Sequence, residues 1–223
     1  MDIGKVLNDS LEYAKDAVWE KWARWLLLIV SSIIFPLILG YELEVYRGKK
    51  PAPDPTDWAK LFIDGIKLFV IQLIYAIPTL IVLFLTIGAG VLAVRTPAQA
   101  TAMWGTFTVG IIVTLVIAFI TGLFAAMGSV RFARTGRMGE AFNFSAITGR
   151  IGKIGWGSYI FALIVVFLVA GIIAFILSAI PYIGWLLMFI VAPALTIFIA
   201  RYITLVYDSV PVAASPPTSP PAA

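Results

Sequence analysis

The sequence has no cysteine and no histidine, and only 13% of its 223 residues are charged. Without thiols there are no disulfides, no thiolate nucleophile and no iron–sulfur cluster, and without imidazole the commonest zinc and haem ligands are missing as well. Carboxylate-only metal sites remain, but no metal, cofactor or catalytic residue is assigned. Charge is scarcest where chemistry inside a membrane would need it. From Phe69 onward the interiors of the long apolar runs hold no Asp, Glu, Lys or Arg apart from the boundary residue Arg201. Ionisable groups within a bilayer mark proton and ion paths, so proton-coupled transport is disfavoured. A serine or aspartate site would need a base or a second carboxylate within hydrogen-bond reach, so no enzyme is expected.

What is present is apolar. Hydrophobic residues make up 61% of the chain and the mean hydropathy is +1.00, values that place it among all-α, multi-pass integral membrane proteins built as one domain. The formal charge of +4 reads, in that setting, as cytoplasmic loops facing anionic lipid headgroups rather than as a nucleic-acid surface. Hydrophobic segments lie at about 25–45, 67–94, 104–130, 156–180 and 184–207. The last four exceed the roughly 20 residues that a helix needs to cross a bilayer, which predicts four full transmembrane helices.

The first segment is interrupted by Pro36 and followed closely by Glu42 and Glu44, so it reads as a short span or a re-entrant hairpin. Charge bias separates the two. A full crossing, giving five spans, leaves Lys5, Lys15, Lys21, Arg24 and Arg95 on one side and the other eleven basic residues opposite. A turn at Pro36 leaves Arg95 as the one basic residue outside, which satisfies the positive-inside rule far better. This arrangement places both termini in the cytoplasm of a cell-membrane protein.

Residues 1–24 carry Ile3, Leu7, Leu11, Ala14, Val18 and Trp22 at helical spacing with charges opposite, the pattern of an amphipathic helix. Trp19, Trp22 and Trp25 favour a place along the membrane interface; packing on the protein's own loops is the alternative. Asp54-Pro55 followed by Asp57 looks like a helix start, and Trp58, Leu61, Phe62 and Ile66 give that short helix an apolar face. Pro78 should kink the span that follows. In the link 131–153, Phe144, Ile147, Ile151 and Ile154 predict a second interfacial helix. The basic residues of this region, Arg131, Arg134, Arg137, Arg150 and Lys153, are candidate contacts for anionic lipid. Residues 208–223, rich in proline, alanine and serine, read as a disordered tail.

Small residues recur every fourth position at Thr114, Ala118, Gly122 and Ala126, and again at Ser158, Ala162, Ala170, Ala174 and Ser178. Such stripes allow close helix approach in lipid, so these two spans are expected to touch. The chain also repeats a theme three times, an interfacial helix followed by a hydrophobic hairpin, with copies starting near Ile3, Trp58 and Glu140. Ile34-Phe35-Pro36 echoes Ile180-Pro181, which supports a turn at Pro36.

Four stretches stand out: Gly40-Tyr41 leading to Arg47; the run from Asp57 to Lys67; Arg131 to Gly136 with Glu140-Ala141-Phe142; and Ile180 to Trp185. They resemble a largely archaeal family of multi-pass membrane proteins, the domain of unknown function 4013, over most of the chain except the tail. The resemblance implies an archaeal cell-membrane protein and brings no substrate or catalytic residue with it. Two functions fit. One is a non-enzymatic scaffold or subunit of a membrane assembly, joining copies of itself or other membrane subunits; the other is a small transporter or channel for an uncharged or apolar solute.

Overall fold

The computed structural model describes the backbone of residues 1–93 and 97–211, and their side chains apart from 89–93, 97–104 and 106. Arg95, and the tail from residue 212 on, lie outside the described residues. Eight α-helices and no strand are found among the described residues: α1 (Ile3–Val18), α2 (Trp22–Ile33), α3 (Phe35–Tyr46), α4 (Trp58–Ala93), α5 (Pro97–Thr135), α6 (Phe144–Ile154), α7 (Trp156–Ser178) and α8 (Gly184–Asp208). A 3₁₀ turn, Met138–Phe142, precedes α6. Four helical stretches are long and apolar enough to cross a membrane: Trp58–Gly88, Phe107–Thr135, Trp156–Ser178 and Gly184–Asp208.

The first hydrophobic segment is broken where the proline predicts. Ile34 leaves the helical region (φ −97°, ψ 80°), and Pro36 sits in the first turn of α3, where a missing N–H is tolerated. The two 12-residue helices on either side are each about 18 Å long at 1.5 Å per residue, against a hydrocarbon thickness of about 30 Å. No helix in this segment can therefore carry a fifth span.

One expectation is corrected at the start of α4, while the short helix expected there runs into the second segment without a break. The cap is Asp57, whose carboxylate accepts from the Lys60 N–H at 3.1 Å; Asp54 is instead held by Arg24 Nε at 2.6 Å. Hydrophobic helices pair in succession as α2 with α3, α4 with α5 and α7 with α8, and a separate polar helix precedes the first and third pairs. At the third, Asn143 caps α6 by accepting from the Ala146 N–H, and Gly155, at φ +93°, ends it.

Packing is uneven along the helices. α3 lies on α4, α4 on α5, and α8 takes α1, α3 and α7. The large buried side chains Tyr41, Met127, Tyr159, Phe198 and Tyr202 gather where these helices meet. Beyond that core the helices thin out. No residue of 76–88 is buried, and of the described side chains in 107–122 only Thr114 is. Phe84, Leu85, Leu115 and Phe175 point outward there, a surface suited to lipid.

The spans α5 and α7 do meet, but at their charged ends: Tyr159 donates to the Leu123 carbonyl, and the Phe124 and Trp156 rings lie 6.4 Å apart. Gly122 has no neighbour within 4 Å that a methyl group would strike, so it makes no close contact with α7. The closest helix approach lies elsewhere. A Cβ on Gly40 would fall 1.9 Å from the Leu61 carbonyl oxygen, and one on Gly65 would fall 1.7 Å from that of Pro36. These two glycines let α3 press against α4.

A candidate site at the charged end of the helices

The α3–α4 contact brings together two buried acids and four cations. Glu44, on the last turn of α3, is only 4% exposed, and Asp64 on α4 is 7% exposed. Lys49 Nζ lies 2.5 Å from one Glu44 oxygen and Lys60 Nζ 2.7 Å from the other, to which Arg47 also donates. The other end of the Arg47 guanidinium reaches Asp64 at 2.7 Å, and Lys67 stands 3.5 Å from the same carboxylate. Burial alone would raise the Glu44 carboxyl, but Lys49, Lys60 and Arg47 outweigh it and hold the group down to about 2. Glu42, two residues earlier, faces elsewhere and accepts from the Tyr46 hydroxyl at 2.6 Å.

Of the five basic residues proposed from sequence as lipid contacts, four make bonds within the protein. Arg131 bonds Glu140 at 2.9 Å and holds its carboxyl below the usual carboxylate range. Arg134 donates to the Tyr46 carbonyl at 3.0 Å and to Asp208 at 2.6 Å, tying α5 to the ends of α3 and α8. Arg150 reaches from α6 to the carbonyls of Tyr207, Val210 and Pro211, with its guanidinium 4.4 Å from the Tyr207 ring. A cation at the last carbonyls of a helix is favourable both for hydrogen bonding and for the helix dipole. Arg137 also bonds Glu140, at 3.0 Å, but its side chain is 75% exposed, and it and the exposed Lys153 are the two that face outward.

A second ionic contact anchors the amino terminus. The buried face of α1, formed by Ser10, Tyr13, Ala14, Ala17 and Val18, packs against α8. Arg201, 4% exposed, bonds Asp9 at 2.9 Å and lies over the Tyr13 ring at 4.9 Å. Lys50 takes the other Asp9 oxygen at 2.7 Å. The boundary arginine of the last span is thus a packing residue.

The residues expected to pack helices divide. Ala126, Ala162 and Ala170 are buried, and Ala174 is half-buried. Ala118 and Gly122 line a shallow groove of about 250 Å³ between α4 and α5, with Gln72, Tyr75, Thr79 and Thr121. Thr79 and Thr121 hydroxyls meet across it at 3.3 Å, while the Gln72 amide has no hydrogen-bond partner among the described residues. Among the described residues no three metal-binding side chains converge.

Asp64 and Lys67 form the local pair that a three-residue helical spacing allows, and Glu44 and Lys60 were not among the candidate site residues. The signal was there in outline, since Glu44 lies four residues from Gly40, and Lys60 and Lys67 are seven apart on one helix face. What the one-dimensional pattern lacks is the α3–α4 contact that joins them.

No curated protein and no solved structure matches the chain. A family described as protein of unknown function (DUF4013) matches residues 25–182, the stretch that contains α3, α4 and the Glu44 cluster but stops short of α8. The match covers well over half of the chain, which therefore belongs to that family.

Proposed function

We propose that the protein is a non-enzymatic subunit or scaffold of a membrane assembly, seated in the cell membrane with its charged end and both termini in the cytoplasm. The observation that supports assembly is the groove between α4 and α5. Its floor is uncharged and small, and Gln72 leaves an amide unpaired beside the exposed side chains of Leu73 and Ile74. An amide without a partner is costly in hydrocarbon, and a helix from another subunit can satisfy it while packing closely on Ala118 and Gly122. The competing reading, passage of an apolar solute, has no comparable support, because the groove opens outward along the surface.

The test is the mass of the particle released by mild detergent. A stoichiometric complex is expected, of copies of the chain or with another membrane protein, and Gly122→Leu should break it without lowering the melting temperature of the separated chain. A native chain that runs only as a monomer, or a complex indifferent to Gly122→Leu, would sink the reading. Orientation is checked by cysteine labelling in intact cells, which the absence of native thiols makes clean. Ser10 is fully buried and would be silent for that reason alone, so the exposed Lys15 and Lys153 are better probes. Cysteines there should resist an impermeant reagent, and one at Gln99 should react.

A further inference from the structure

We propose that Lys49, Lys60 and Lys67 hold the headgroup of an anionic phospholipid at the α3–α4 contact. Four cations share two carboxylates here, so the cluster keeps an excess of positive charge after every internal ion pair is made. The acids are buried, yet the lysine side chains are 49%, 49% and 45% exposed. Each ammonium carries three donors, and the single carboxylate that each one meets leaves others free. The buried Glu44 and Asp64 fix where the positive charge stands, and an anion from outside completes its neutralisation.

The surroundings select a lipid over a soluble anion. Along α4 the exposed side chains next to these lysines are apolar: Ile63, Ile66, Phe69 and Val70. Lys67 is the last charge on this helix before its uncharged stretch begins. A phosphate bonded at Lys60 and Lys67 would therefore have its acyl chains running down an apolar helix face, which a free phosphate does not need. Basic side chains at a helix end on the membrane boundary attract anionic headgroups, and lysine stems can lie along apolar surface while the ammonium stays at the phosphate level. The link residues Arg131, Arg134 and Arg150 are less suited, since their guanidinium groups are committed to protein partners. The inference is independent of the proposed assembly.

Native mass spectrometry of the full chain in detergent tests it, using phosphatidylglycerol and phosphatidylcholine of the same chain length. The native protein is expected to retain the anionic lipid over the zwitterionic one. The double variant Lys60→Gln/Lys67→Gln should weaken that retention about tenfold, and Lys67→Gln alone by a few-fold. Lys67 makes the longest ion pair in the cluster, and Arg47 still holds Asp64 without it, so the single variant keeps the fold. Lys60→Arg/Lys67→Arg should retain the lipid, and so should Arg137→Gln/Lys153→Gln. Equal retention of the two lipids by the native chain would overturn the proposal. So would full retention by Lys60→Gln/Lys67→Gln, loss in the Arg137/Lys153 pair instead, or displacement of the lipid by millimolar inorganic phosphate.

Discussion

The charged end of the helix bundle and the helix stretches beyond it are held together differently. At the charged end, tyrosines and aliphatic side chains are fully buried, and seven of the ion pairs share just three acids: Asp9, Glu44 and Asp64. Beyond it, between 76 and 88 on α4, nothing is buried, and Thr79 meets Thr121 of α5 through their hydroxyls. In water the first kind of end would be the whole protein. In a bilayer, lipid replaces the missing neighbours for the second, because hydrocarbon tails are as apolar as leucine and a helix satisfies its own backbone. Fold specificity is therefore concentrated where water is available to make misplacement of charge costly.

That contrast can be broken most sharply with one methyl group. Gly40→Ala puts a Cβ where the Leu61 carbonyl stands, and neither backbone can yield, so a loss of about 3 kcal/mol is expected in denaturant melts in detergent. Arg201→Met should cost less, about 2 kcal/mol, because Asp9 is partly exposed and keeps Lys50 while the stacking on Tyr13 is lost. Arg201→Lys should not restore the native value, since an ammonium cannot lie flat over the ring and reach Asp9 as well.

A graded effect comes from acid. In the folded chain Glu44 is held near 2, against 4.5 for a free carboxyl. Its contribution is complete above 4.5 and is lost as the pH falls from there toward 2. Melting temperature should therefore drop across that window, and Glu44→Gln should flatten that part of the drop; an equal slope in both proteins would show that other acids control it. The smallest effect is expected at Gly122→Ala, on the lipid side. With nothing within 4 Å of the new methyl, the separated chain should melt as the native one does, within about 0.5 kcal/mol. A large loss there would mean that α5 packs more tightly than the contrast allows.

The spans were legible because length and hydropathy alone decide whether a helix can cross a bilayer, and the break at Ile34 because Pro36 cannot donate a backbone hydrogen bond. A helix in the link was legible too, carrying its apolar residues from Phe144 to Ile154, since its apolar period and its glycine stop are local. What failed was partner choice. A stripe of small residues such as Ala118 and Gly122 states that something can come close, without stating what, and the actual close approach was made by Gly40 and Gly65, which belong to no four-residue stripe. Likewise, arginines in a basic link look alike in one dimension, yet Arg134 and Arg150 find carbonyls and an acid on α3 and α8 that are 57 to 88 residues away.

The Asp9–Arg201 contact also sets an order of events. Its partners are 192 residues apart, one on α1 and the other on α8. Until α8 has been made, Tyr13, Ala14 and Val18 lack the helix they pack on, and α1 is held by α2 and by Lys49 and Lys50. Docking of α1 on α8 therefore waits for α8, so a chain truncated before Arg201 should carry α1 as a more protease-accessible segment.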